Sequence, residues 1–430
     1  MSPTTNVAGV LSSVLGAPQV YISAYDGSEA GPADAALRVR LRSELALRYL
    51  ATSPGELGLA RAYVTGELDL DGDLYAGLRT IAERPSIGGV TLREKAEIVR
   101  ALGPSVLKPL PVPPQEVVPG TRFAKSLTAI RRHVRARDAA AISHHYDVSN
   151  RFYEWVLGPS MAYTCAVYPD ADASLEVAQE EKFDLVCRKL DLQPGQRLLD
   201  VGCGWGGMVR HAVTHYGVTA LGVTLSRQQA EWAQKAIAED GIGDRAEVRH
   251  LDYRDVTESG FDAVSSIGLT EHIGRQQLPS YFAHLYARLR DGGRLLNHCI
   301  MRPTTVASPI MRRGFINRYV FPDGELLGLG TIVTAMQDKG FEVRHEENLR
   351  EHYAKTLAAW CDNLEDHWDE AVEEVGLGTS RVWRLYMAGS RLGFERNDIQ
   401  LHQVLGVKTP RGGDAHIPLR PDFGRTRPAL

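Results

Sequence analysis

From about residue 174 the apolar positions switch repeatedly between two periods. Residues 174–190, 205–216, 226–240 and 278–289 carry apolar residues at helical spacing. Between them lie short apolar runs at 197–201, 218–223, 246–251, 261–267 and 294–300, of a length suited to buried strands. Alternation of this kind with short connections predicts an α/β fold with a doubly wound parallel sheet. Residues 301–340 break the rhythm and read as an insertion or lid. Before the alternation the pattern differs. Residues 20–23 and 37–42 alternate as half-buried strands around a turn-rich segment at 26–34, helical segments follow, and an acidic turn at 66–73 interrupts them. This part reads as a smaller α+β domain.

Six prolines between 104 and 119 (Pro104, Pro109, Pro111, Pro113, Pro114, Pro119) exclude a helix or central strand and predict an extended linker. The expected organisation is an accessory domain at 1–103, a Pro-rich and basic linker at 104–139, and a catalytic domain at 140–430. Within the linker, Arg122, Lys125, Arg131, Arg132, Arg135 and Arg137 stand among apolar residues without an acid. They form either a solvated helix face or a surface for anionic lipid headgroups.

Composition narrows the classes. The 430 residues are 43% hydrophobic and 24% charged, with net charge -4, which excludes a disordered chain and disfavours a dedicated nucleic-acid binder. Five cysteines form no C-x-x-C pair, so reduced thiols and a cytoplasmic compartment are expected. No run of ~18 apolar residues suits a membrane span, and no basic leader marks a signal peptide. Any action on lipid is expected from the water side, with peripheral association at the inner membrane face.

The stretch Leu199-Asp200-Val201-Gly202-Cys203-Gly204-Trp205-Gly206-Gly207 is a strand ending in a glycine-rich turn that opens a helix. Gly202, Gly204 and Gly207 satisfy G-x-G-x-x-G, the dinucleotide pattern. However, the next strand ends Gly222-Val223-Thr224-Leu225-Ser226, without the acid that holds the ribose of NAD. Asp200 instead gives D-x-G-x-G, which resembles the first motif of class I S-adenosylmethionine (SAM) methyltransferases, where an acid positions the amino-acid end of SAM.

Further segments are His145-Tyr146-Asp147-Val148-Ser149-Asn150, Met161-Ala162-Tyr163-Thr164-Cys165-Ala166, Thr224-Leu225-Ser226-Arg227-Gln228-Gln229 and Glu271-His272-Ile273-Gly274. In this order around the glycine loop they resemble the cyclopropane fatty acid synthase family, which includes the mycolic acid methyltransferases. The resemblance covers roughly residues 140–400. The segment 63–74 resembles the extra domain of longer, phospholipid-acting members. By this resemblance SAM contacts fall on Tyr163, Thr164, Gly202, Gly204, Gly206, Thr224, Gln229 and Tyr253. Where the mycolic enzymes commonly carry Trp-Glu, this chain has Tyr253-Arg254, so Asp252 is taken as the polar partner of the adenosine. The resemblance also implies a bicarbonate site at Cys165, Glu271, His298, Ile300 and Tyr353, with the backbone N–H groups of Cys165 and Ile300 completing the cradle. No metal is implied.

An isolated double bond is a weak nucleophile, and its methylation generates a carbocation that water would trap, so a dry pocket is required. Tyr163, Tyr281, Phe282 and Tyr319 are candidate aromatic faces for that charge. Loss of a proton from the added methyl closes a cyclopropane, whereas a prior hydride shift gives a methylene branch. The segments 297–303 and 315–325 resemble the actinobacterial branch that makes 10-methylene stearoyl lipids, and that product is expected, with a separate reductase as a partner. A homodimer is expected by analogy. Cyclopropanation, methylation of a soluble small molecule and a non-catalytic lipid-binding role remain the alternatives.

Overall fold

The computed structural model describes residues 6–15, 19–53, 55–82, 99, 103–116, 148–306, 314–321 and 324–424. The basic stretch 122–137, the His145-Tyr146-Asp147 part of the first family segment, and residues 307–313 and 322–323 of the expected insertion lie outside the described residues. The chain forms two compact units. One comprises Met1–Lys125, Met311–Pro322 and Leu364–Leu392, and the other Ser126–Ile310, Asp323–Asn363 and Gly393–Leu430. These units differ from the linear ranges expected, because two segments from beyond residue 300 belong to the amino-terminal unit.

In the amino-terminal unit, β1 (Tyr21–Ala24), β2 (Glu29–Ala30), β3 (Leu37–Leu41) and β4 (Leu68–Gly72) form one sheet in the order β2-β1-β3-β4. The acidic segment read as a turn is therefore a strand. Its register opposes Arg38 to Asp71 and Arg40 to Asp69, while Leu37, Val39, Leu41 and Leu68 are buried. Two alternating sequences of opposite charge thus pair face to face, and their aspartates serve a ladder rather than a turn. Residues 104–116 are not a free linker. Val106 is buried, the Lys108 and Pro111 carbonyls accept from Arg48 and Tyr49, and buried Glu116 receives both Nε and Nη2 of Arg61. Proline lacks a donor but keeps its acceptor, so the segment docks through its carbonyls.

The larger unit holds an eight-stranded sheet. Its main path runs β7 (Ala246–His250), β6 (Thr219–Thr224), β5 (Arg197–Val201), β8 (Phe261–Ile267), β9 (Leu289–Arg302), β12 (Gln400–Val407), β11 (Glu342–Asn348). The short β10 (Leu327–Gly328) pairs with β9. Strands β5 to β9 are mutually parallel, as the sequence pattern predicts, and β12 is antiparallel to both neighbours. The sheet is apolar on both faces. Leu198, Ala220, Ala263 and Leu296 join one cluster with helices Leu175–Leu190 and Gly207–Tyr216. Leu199, Val201, Val223, Val264 and Leu295 join the opposite cluster with helices Leu278–Arg288 and Leu329–Gln337. The expected insertion therefore divides, with Leu329–Gln337 packed on this sheet and Met311–Pro322 in the other unit.

Candidate functional site

At the carboxyl end of β5 the chain turns through Gly202, Gly204 and Gly206, whose φ angles are +74°, +55° and +77°. A side chain would be strained at all three, which accounts for glycine at each. The N–H groups of Gly202 and Cys203 donate to the Val223 carbonyl at 2.9 and 3.0 Å, tying the loop to β6. Beside it opens a cleft lined by Tyr163, Thr164, Asp200, Gly202, Gly204, Thr224, Gln229 and Tyr253, among others. Eight of the ten residues expected to hold a nucleoside cofactor thus converge.

The other two do not line the cleft. Gly206 packs behind it, where an added Cβ would lie 3.1 Å from that of Ala233. Asp252 is buried, and its carboxylate receives the Arg254 N–H at 2.9 Å and the guanidinium at 2.8 and 2.6 Å. The expected preference for Asp252 over Tyr253 is therefore reversed in position. Tyr253 and Arg254 face the cleft, while Asp252 caps the short turn that presents them.

Thr224 Oγ1 donates to Gln229 Oε1 at 2.7 Å, so the two side chains present one surface. Asp200 accepts from Ser265 Oγ at 2.6 Å, and burial raises its carboxyl to about 6, against the Ser265 bond and the charge of Lys182. Lys182 also lines the cleft. Its ammonium donates to Thr164 Oγ1 at 3.0 Å, and burial lowers it to about 7 against the pull of Asp200. A wholly buried ammonium with one hydroxyl partner has donors to spare, which suits an anionic group of a ligand.

The second set gathers on β9 and its neighbours. Gly268, which lines the cleft, donates to the His298 carbonyl at 2.8 Å, so this set begins one hydrogen bond away. Ile300 lies two residues further along β9, and its N–H donates to Glu271 Oε1 at 2.6 Å. That N–H is thereby committed to Glu271, and the expectation that it cradles an anion is corrected. Ile300 pairs with Leu401, the Leu401 carbonyl accepts from Leu349 N–H at 2.8 Å, and the Leu349 carbonyl accepts from Tyr353 N–H at 3.1 Å. Cys165 Sγ lies 3.1 Å from the Ala166 carbonyl and 3.8 Å from that of Leu349. A chain of backbone hydrogen bonds and strand pairing thus links the elements that carry these five residues. Burial pushes the Cys165 thiol up, so it stays protonated and is no nucleophile.

Two atoms here stand out. Glu271 Oε2 and His298 Nε2 are buried without a hydrogen-bond partner among the described residues. Such orphans are costly unless a further group meets them. Burial raises the Glu271 carboxyl to about 7. Burial, with Lys182 and Lys189 nearby, holds His298 well below its ordinary value, so its imidazole is neutral.

Aromatic rings connect the two sets. Trp205 of the glycine loop lies 4.7 Å from Tyr153, Tyr153 lies 5.9 Å from Tyr163, Tyr163 5.4 Å from Trp360, and Trp360 6.0 Å from Tyr353. Of the four aromatic candidates, Tyr163 alone lines the cleft. Tyr281 and Phe282 pack in the core, with Tyr281 Oη 2.6 Å from Ser266 Oγ, and Tyr319 belongs to the amino-terminal unit, where it donates to Glu116.

Comparison with known proteins decides the family. The sequence model described as "Mycolic acid cyclopropane synthetase" matches residues 133–404. The chain belongs to that family. A "Probable fatty acid methyltransferase" of Mycobacterium tuberculosis is 57% identical over 404 residues, covering 93% of both chains. A second, from Pseudomonas putida, is 39% identical over 85% of this chain and 86% of its own. Among solved structures, mycolic acid cyclopropane synthase CmaA1 complexed with SAH and CTAB matches at TM-score 0.59 and 31% identity, over 63% of this chain and 98% of its own. The protein is thus a SAM-dependent methyltransferase of the cyclopropane fatty acid synthase-like family, with the class I methyltransferase fold. Among the described residues no helix is long and apolar enough to cross a membrane.

Sequence reading missed Lys182, Trp360 and Gln403 in this family member. The signal for the first was available. Along Leu175–Leu190 the buried face carries Ala178, Phe183, Val186 and Leu190, and Gln179, Lys182 and Lys189 share it. Polar residues on the core side of a helix point to a site rather than to solvent.

The raised Glu271 carboxyl has a consequence for folding. The folded state holds this proton more tightly than the unfolded chain, so the stabilisation is present at low pH and lost as pH rises through about 7. Glu271→Gln removes this dependence. Relative to the parent, the variant gains up to about 3 kcal/mol of unfolding free energy between pH 5 and pH 8, read by denaturant titration in bicarbonate-free buffer.

Proposed function

We propose that this enzyme transfers the SAM methyl group to the cis double bond of an unsaturated phospholipid acyl chain, with bicarbonate as base, giving a methylene-branched acyl lipid. The observation that carries the reading is that Glu271 Oε2 and His298 Nε2 are both buried without a partner among the described residues, while Gly268, which donates to the His298 carbonyl, lines the cofactor cleft. A buried acceptor and a buried ring nitrogen, each lacking a partner, fit a small species that offers both a hydroxyl and bare oxygens. Bicarbonate meets that description. Support for a lipid substrate comes from the curated relatives described as fatty acid methyltransferases.

The glycine loop, Thr224 and Gln229 hold the nucleoside, and Asp200 and Lys182 face the charged amino-acid end. Bound there, SAM supplies an electrophilic methyl group. Tyr163 faces the route of developing positive charge, backed by the buried rings of Tyr153 and Trp360, and its face contributes ~0.5–2 kcal/mol to stabilising that charge. His298 and the Tyr353 hydroxyl donate to the anion, and the Glu271 carboxylate accepts its hydroxyl. Ile300 acts one step back, its N–H fixing the Glu271 rotamer. Held by these groups, bicarbonate supplies the base that takes the surplus proton.

The family description and the cyclopropane synthase structure favour a second outcome on the same substrate, ring closure. Expression in a host lacking such an activity, followed by fragmentation of its acyl chains in the mass spectrometer, separates the two. A methylene branch fragments as an added unsaturation and a ring does not. Unmodified acyl chains contradict the proposal.

The arginines of residues 122–137 concentrate positive charge in the sequence, a composition suited to anionic headgroups. Charge reversal at Arg131 and Arg132 lowers binding to anionic vesicles about tenfold or more, at ~1 kcal/mol per charge removed or reversed, and leaves SAH binding unchanged. Cosedimentation and calorimetry read the two separately. A methylene product also leaves work for a reductase, which we take to be a separate partner.

A further inference from the structure

His298 is paired across the sheet with Gln403 of β12, and Gln403 Nε2 lies 3.1 Å from His298 Nδ1. Which atom of an amide faces a ring nitrogen is settled by what the other atom meets. Here Gln403 Oε1 lies 2.7 Å from Lys189 Nζ. Lys189 is itself buried and forms an ion pair with Glu347, which keeps it an ammonium, and an ammonium can only donate. The amide oxygen therefore faces the lysine and the NH₂ faces the imidazole. An NH₂ facing a neutral imidazole nitrogen donates to it, so Nδ1 is the acceptor and the ring hydrogen sits on Nε2, the orphaned atom.

We infer that Glu347, Lys189 and Gln403 are a positioning relay that locks His298 as the Nε2–H tautomer, so that its one free nitrogen is a donor aimed at an anion. The inference deepens the proposed bicarbonate site and rests on that reading for its purpose. The chemistry of the three partners alone fixes the tautomer. Without the relay the imidazole is free to present a lone pair instead, which repels an anion's oxygens. All members lie in the larger unit, and Gln403 and Lys189 are fully buried, so solvent cannot substitute for them.

The test is nitrogen NMR of the full-length protein labelled at histidine, with the His298 signals assigned by their loss in His298→Asn. The expected parent spectrum at neutral pH shows a bare Nδ1 and a hydrogen-bearing Nε2. Gln403→Glu keeps the shape but replaces the donor by a carboxylate, and Nδ1 then carries a hydrogen. Gln403→Leu and Lys189→Met lower methyl transfer about tenfold or more with SAH affinity unchanged. A parent His298 with its hydrogen on Nδ1 overturns the inference, as does Gln403→Glu leaving Nδ1 bare. Carbon-labelled bicarbonate is added in a second arm. If the tautomer is as stated and labelled bicarbonate fails to bind, the positioning relay stands and the anion reading falls.

Discussion

Glu271→Gln and His298→Gln each lower methyl transfer by about 10²–10⁴-fold, the range for loss of a positioned proton-transfer partner, while SAH binds as it does to the parent. The two residues hold the same anion, so the double variant is little worse than either single one. The pH profile adds a sign. Glu271 must be ionised to accept from the anion, and its carboxyl is raised to about 7 by burial, so the parent rate climbs as pH rises through 7. That limb is absent in Glu271→Gln. Steady-state kinetics with vesicle substrate and calorimetry with SAH give both readings. Full turnover in either single variant excludes the proposed base site.

The second large effect separates two glycines of one loop. Gly204 has φ +55°, lines the cleft, and has nothing within 4 Å of where a Cβ would stand. Gly204→Leu therefore puts a side chain into space beside the cofactor and weakens SAH binding by about 100-fold or more, at a folding cost of ~1–2 kcal/mol for the left-handed backbone. Gly207 also borders the cleft, but there an added Cβ would stand 2.8 Å from the Phe183 ring and 3.3 Å from the Ser160 carbonyl. Gly207→Leu accordingly damages folding first, seen as a lowered thermal midpoint without ligand. Undiminished SAH affinity in Gly204→Leu contradicts the assignment of the cleft.

Sequence legibility followed the range of the interactions. The parallel strands β5 to β9 were readable because each is a local apolar run closed by turn residues, and the glycine loop because positive φ admits few residue types. β11 and β12 were not. The strand character of β12 depends on pairing with β9 about a hundred residues earlier and that of β11 on pairing with β12, and β12 contains His402 and Gln403, polar residues that only the fold makes internal. Likewise the β4 aspartates read as a turn until Arg40, Arg42 and Arg381 met them in the fold. The site residues recovered by resemblance were those with a motif around them. Lys182, Trp360 and Gln403 have none, and their roles arise from side chains that meet only in three dimensions. The contribution of Met311–Pro322 and Leu364–Leu392 to the amino-terminal unit was hidden for the same reason.

The account stands or falls on where the methyl group goes and what it loses. Purified enzyme is incubated with vesicles of an unsaturated phospholipid, bicarbonate, and SAM carrying a fully deuterated methyl group, and the released acyl chains are weighed. The predicted result is an acyl group with one added carbon that keeps two of the three deuteriums, since one leaves with the base. An unlabelled acyl chain, or one that keeps all three deuteriums, contradicts it.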